Sequence, residues 1–196
     1  MSRARRDRGW TRELTRRAGP TGFATLAVLL ALAAPAAGDP VWWVTVGGQA
    51  AIETGDLDKT LGTEGAGLLG IGWHALRVGS ILVGAEAEGS AGLVHASLGL
   101  VTDTVTVWRG RGGIRVTWLE EDTLPVLVPY LRGGAVYRAD RGRFVRDEGV
   151  GWYGGIGLDW SLAERWAVGP FATYEEVSLS IPTRTWLFGL QLRYSR

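Results

Sequence analysis

From Val41 onward the chain alternates large apolar residues with small or polar ones, in eight separate stretches. Alternation over about nine residues is the mark of a β-strand with two unlike faces. The last stretch, 185–194, is the clearest. It reads T-W-L-F-G-L-Q-L-R-Y, with Trp186, Phe188, Leu190, Leu192 and Tyr194 on one face and Leu187, Gly189, Gln191 and Arg193 on the other. The same pattern predicts strands over 41–51, 66–78, 81–91, 103–118, 126–138, 150–160 and 166–177. The first, third, fifth and seventh connections read as long loops, among them 53–65, 92–102 and 139–149. The second, fourth and sixth read as short turns. Long loops at one end and short turns at the other suit an all-β, eight-stranded antiparallel up-and-down transmembrane β-barrel, whose strands need about 9–11 residues to cross a bilayer.

A soluble barrel would show the same alternation with its faces exchanged, apolar within and polar without. Two features favour an apolar exterior. The less apolar face is mostly glycine with scattered charge, whereas a surface in water carries charged and polar side chains at most positions. The large aromatics also gather near strand ends on the apolar face. Trp42, Trp118, Trp160, Trp166 and Tyr194 fall near the short turns. Trp108, Tyr137, Trp152, Tyr174 and Trp186 fall near the long loops. Two such belts match the aromatic girdles at the two interfaces of a bilayer.

Composition changes the picture at one end only. Arginine-rich residues 1–17 precede an apolar run over 23–35 and then small-x-small pairs at Ala34–Ala36 and Ala36–Gly38. That order reads as a cleaved secretory signal peptide over 1–38, leaving 39–196 as the barrel. Removing residues 1–22, with their seven arginines and two acids, leaves fourteen basic and eighteen acidic residues, a net charge of −4. A weakly acidic chain with no basic patch argues against nucleic acid as a partner. There is no cysteine, and arginine outnumbers lysine twenty to one.

The chain resembles the small outer-membrane β-barrel superfamily, which includes the barrel domain of outer-membrane protein A and its single-domain relatives. The resemblance runs from about residue 40 to 194 and is carried by P-Y-L-R-G-G-A-V-Y-R (129–138), G-G-I-G-L-D-W-S-L (154–162) and the terminal G-L-Q-L-R-Y (189–194). It implies a bacterial outer-membrane location, outer-membrane lipid and lipopolysaccharide as surroundings, and handling by the barrel-insertion machinery. The terminal aromatic departs from the family's final phenylalanine, since Tyr194 is followed by Ser195 and Arg196. A monomer is expected.

Candidate chemistry lies mainly on the inward face. Glu86 and Glu88 neighbour Arg109, Arg111 and Arg115 on the next strand, and Arg132, Arg138, Asp159, Glu175 and Arg193 add further charges. Same-face residues on paired strands are about 5 Å apart, so an acidic–basic network across the lumen is expected. Such a network fills and specifies the barrel interior, or it lines a narrow charge-gated pore. His74 reads as an ordinary lumen residue. His95-Ala96-Ser97 places a histidine and a serine on one side of an extended segment, as activation of a hydroxyl requires. The lipid A deacylase barrels carry an H-x-S of this kind with a glutamate downstream; here the flanking signature is missing, and no enzyme activity is expected. Asp56, Asp58 and Glu64 match no calcium-loop spacing and read as a solvated loop. No metal or cofactor is expected.

Overall fold

The computed structural model describes residues 42–54, 62–98, 101–119 and 127–196, with side chains for all of these except 96–98, 101 and 102. Residues 1–38, expected to be a signal peptide, and Asp56 and Asp58 lie outside the described residues. Eight strands follow in order: β1 Trp42–Thr54, β2 Glu64–Val78, β3 Ile81–Leu98, β4 Val101–Trp118, β5 Leu127–Arg141, β6 Arg146–Ala163, β7 Trp166–Ser178 and β8 Thr183–Ser195. Each pairs antiparallel with its neighbours in the chain, and β1 pairs with β8 to close the barrel. At the seam, the Trp42 N–H donates to the Arg196 carbonyl (3.1 Å) and the Arg196 N–H donates to the Trp42 carbonyl (2.9 Å). Closure removes both sheet edges, which lipid demands because it offers backbone groups no partner.

The strands run further than the alternation suggested. Residues 92–98 and 139–141, which read as loop in the sequence, belong to β3 and β5, and 146–149 opens β6. The loops at that end are correspondingly short, with 142–145 joining β5 to β6 and 179–182 joining β7 to β8. The physical reason is visible at 92–98, G-L-V-H-A-S-L, whose apolar residues do not alternate strictly but which pairs residue by residue with 101–107 of β4. Val94, Val105 and Val107 are buried together, with Val145 of the β5–β6 connection packed against them. The Phe144 N–H donates to Asp103 Oδ2 (3.0 Å), which ties that connection inward over the barrel end. At 18 residues each, β3, β4 and β6 exceed the span of a bilayer, so their surplus length stands beyond it at this end. On the outside of that extension, the Arg141 guanidinium, with the Tyr137 hydroxyl, holds the Glu148 carboxyl below the usual range.

At the opposite end, among the described residues, β2–β3 and β6–β7 are joined by two-residue turns. Gly79, at φ 57°, and Ser80 join β2 to β3. A side chain in the left-handed region costs about 1–2 kcal/mol. Nothing lies within 4 Å of a Cβ at Gly79, so only the backbone is strained. Gly79→Ala is expected to lower the urea midpoint of the refolded barrel by the equivalent of about 1 kcal/mol. An unchanged midpoint would mean that the turn relaxes without penalty.

The polarity of the barrel is inverted relative to a soluble protein. Leu69 is 63% exposed and Trp152 52%, while Arg111 is 4% and Arg115 1%. Exposed leucine and tryptophan all round a closed sheet, with arginines sealed inside, is stable only where the exterior solvent is hydrocarbon. The fold is an eight-stranded transmembrane β-barrel.

Candidate functional site

The lumen is the site. Period two along each strand sends every second side chain inward, and the eight inward rows meet across a barrel just wide enough to be filled by them. Glu86, Glu88, Arg109, Arg111, Arg115, Arg132, Arg138, Asp159, Glu175 and Arg193 all take part in ion pairs there. Glu53, Glu64 and Asp140 join them.

The pairs form tiers down the barrel. In the uppermost, Arg138 reaches Glu53 (2.6 Å) and grips Asp140 with two donors (2.8 and 3.0 Å). The Thr185 hydroxyl donates to the other Glu53 oxygen at 2.8 Å. Below it, Arg109 forks onto Glu64, with its second bond 2.8 Å long, and donates through Nε to Glu175 (3.0 Å). Arg111 then bonds both Glu175 and Glu88, and Arg132 donates to Glu88 (2.9 Å) and to the Thr173 hydroxyl (2.7 Å). Glu86 lies 3.9 Å from Arg132 and accepts from the Tyr153 hydroxyl (3.2 Å). In the lowest tier Asp159 takes both Arg115 and Arg193, the latter at 2.8 Å, and accepts from Gln191 (3.2 Å). The Arg115 guanidinium lies 3.5 Å from the centre of the Tyr130 ring, and Arg132 lies 4.7 Å from that of Phe171.

Register alone does not explain these partners. Glu88 faces Arg111 directly across β3 and β4. Arg109, however, faces Arg138, and Arg115 faces Arg132, each a pair of like charges. The carboxylates that separate them come from β1, β2, β6 and β7 across the lumen, together with Glu88 on β3 and Asp140 on β5. A filled lumen also leaves little space: a cavity of about 10 Å³, bordered by Trp43, Thr45, Glu86, Arg115, Arg132 and Gln191, has room for about one water.

Three acids of the network went unassigned at the sequence level. Glu64 was placed in a solvated loop; it is 2% exposed and heads β2. Glu53 and Asp140 were placed in loops as well. The signal was present, because each continues the inward parity of its strand: Gln49, Ala51, Glu53 on β1, Glu64, Ala66, Leu68 on β2, and Val136, Arg138, Asp140 on β5.

The ten aromatic residues singled out above lie on the outer surface in two groups. Towards the tight turns, Tyr194 packs against Trp42 (5.9 Å between rings) and Trp166 (5.0 Å), and Trp118 and Trp160 lie near the same end. Towards the other end, Tyr174 packs against Trp152 (5.4 Å) and Trp186 (5.1 Å), with Trp108 and Tyr137 further round the barrel. His95 is on β3 rather than in a loop, and its Nδ1 lies 3.3 Å from the Thr104 hydroxyl on β4. The side chain of Ser97 lies outside those described.

No protein-family model matches the chain, and no curated protein matches its sequence. Solved structures do match its fold. Neisserial surface protein A superposes with a TM-score of 0.55 at 10% identity, covering 78% of this chain and 96% of that one. Ail, the attachment invasion locus protein of Yersinia pestis, in complex with the heparin analogue sucrose octasulfate, gives 0.52 at 13% identity, covering 80% and 100%. The outer membrane protein OprG of Pseudomonas aeruginosa gives 0.52 at 13% identity, covering 80% and 95%. The chain therefore has the fold of the small eight-stranded outer-membrane barrels.

Proposed function

We propose that this chain is an outer-membrane barrel with a plugged lumen, serving as a structural or surface-interaction protein rather than a diffusion pore. The observation that carries this is the lumen itself. Tiers of buried arginines and carboxylates span it from Glu53 to Asp159. An ion crossing it would have to separate pairs that lie in a low dielectric, at several kcal/mol each. In this reading the strand extension and its inward-tied β5–β6 connection face outside the cell, and the Gly79 turn and both ends of the barrel chain face the periplasm. The two aromatic groups sit at the interfaces of a bilayer of outer-membrane lipid and lipopolysaccharide, and the insertion machinery delivers the chain there. The fold shared with outer-membrane barrels supports that placement.

The test is single-channel recording in planar bilayers with the refolded mature chain. Correctly inserted protein is expected to give no discrete current steps. Regular steps with ion selectivity would overturn the plugged reading in favour of a narrow pore.

A further inference from the structure

We propose that the outward face of β3–β6, beyond the aromatic group on the strand-extension side, is a docking surface for the phosphorylated sugars of lipopolysaccharide. The proposal rests on the reading above that this end of the barrel stands outside the cell. Between the two aromatic groups the outward rows of these strands are apolar. Beyond Trp108 they change. They carry His95 on β3, Thr104 and Thr106 on β4, Arg141 on β5 and Arg146 on β6. These residues adjoin one another. His95 faces Thr104, Thr106 faces Arg141, and Arg141 faces Arg146 across successive strand pairs. Each can donate a hydrogen bond.

The charge of this face is unbalanced. Arg141 and Arg146 are like charges directly opposite one another, which is unfavourable by itself. The acid beside them, Glu148, is engaged by Arg141 and by the Tyr137 hydroxyl (3.1 Å). The nearby aspartates lie on the inward rows. Asp103 accepts from the Phe144 N–H, Asp140 from Arg138, and Asp147 from the Ser180 N–H (2.9 Å). Arg143, at the tip of the β5–β6 connection, adds a third exposed guanidinium, 5.1 Å from the centre of the Phe144 ring. Among the described residues, neither Arg143 nor Arg146 has an ion-pair partner. Three outer arginines therefore share one carboxylate.

Height and direction select the partner. Arg141 is four residues beyond Tyr137 of the outer aromatic group, about 10 Å further out on a tilted strand. Arg146 is six residues beyond Trp152, about 15 Å further out. Both stand past the acyl boundary and face sideways, along the leaflet rather than away from it. A soluble partner meets the tips of the connections, whereas a neighbouring glycolipid meets this face. Phosphates on adjacent lipids repel one another, and guanidiniums fork onto phosphate oxygens. The hydroxyls of Thr104 and Thr106, with the His95 ring whose Nδ1 lies 3.3 Å from the Thr104 hydroxyl, supply neutral groups for sugar hydroxyls.

The experiment measures binding of rough lipopolysaccharide, which keeps lipid A and the phosphorylated inner sugars, to the refolded barrel in detergent micelles. Saturable binding is expected, weakened by added salt. Arg146→Gln is expected to weaken it about fivefold, the usual share of one basic residue at an anionic lipid surface. Adding Arg141→Gln should bring the loss to about 25-fold. Both lie outside the packed lumen, so the urea midpoint should stay unchanged. Arg184→Gln, on β8 beside Glu176, is expected to keep wild-type affinity. Wild-type affinity in the folded double variant overturns the proposal, as does undiminished binding of the same lipopolysaccharide stripped of phosphate. Equal affinity for the deacylated oligosaccharide also overturns it, because the partner would then be a soluble polyanion. Binding is read without current, so this site and the plugged lumen fail separately. Orientation is read by itself on whole cells, from impermeant maleimide labelling of Ser180→Cys in a chain that has no other cysteine. Labelling supports the outward placement, and its absence from inserted protein overturns the placement and this site's access to lipopolysaccharide.

Discussion

Arg111→Ala is expected to destabilise the folded barrel by about 3–5 kcal/mol, the usual result of removing one partner from a buried ion pair. Arg111 is the centre of the network. It bonds Glu88 from the adjacent strand and Glu175 from across the lumen, and it lies 3.3 Å from the Gln49 amide oxygen. Deleting it leaves two carboxylates facing each other in a closed interior. Arg109 and Arg132 still hold one oxygen of each, which keeps the loss finite. The measurement is the urea midpoint of the refolded barrel in lipid vesicles, followed by tryptophan fluorescence. Arg141→Ala serves as the control. Arg141 pairs with Glu148 in the open, and removal of an exposed pair is expected to leave the midpoint unchanged. Adding Glu175→Gln to Arg111→Ala should recover part of the loss, because the uncompensated charge goes with it. A wild-type midpoint in Arg111→Ala would refute the idea that these pairs hold the barrel together.

Gly157→Ala is expected to destabilise by about 1–3 kcal/mol through overpacking. Gly157 is on the inward row of β6, directly opposite Tyr130 on β5. A Cβ there would overlap the Tyr130 ring. That ring cannot step aside cheaply. Its far face carries the Arg115 guanidinium, and its hydroxyl accepts from Gln191 at 2.9 Å. Displacing it would disturb the lowest tier along with the packing of Leu68 and Phe171 against it. The control is Gly112→Ala on the lipid side, where nothing lies within 4 Å of the new methyl. That change is expected to stay within about 0.5 kcal/mol of wild type. Equal effects for the two substitutions would show that the lumen has slack, contrary to the close packing described above.

Much of this protein is legible in its sequence. The eight strands and their two faces follow from period-two alternation, which the pleat imposes on any strand however it is paired, and the inverted polarity follows from the glycine-rich second face and the aromatics near the strand ends. The outward position of Trp108, Trp152 and Trp186 follows from the same parity. Strand ends were less legible. Residues 92–98 read as a loop, and only their pairing with 101–107 and the packing of Val94 against Val105, Val107 and Val145 make them strand.

The sequence by itself therefore determined which residues share a face, because parity is a local property of the backbone, and the glycine and aromatic content of the two faces told which one points inward. The tertiary structure decided which of them meet. Local proximity pairs Glu88 with Arg111, and that pair could be foreseen. Glu175 with Arg109, Glu53 with Arg138 and Asp159 with Arg115 are 66, 85 and 44 residues apart and sit on strands that are not neighbours. Their meeting depends on the diameter and stagger of the closed barrel, which set how the inward rows face one another across the lumen. Closure also decided that Arg115 and Arg193 would share one aspartate.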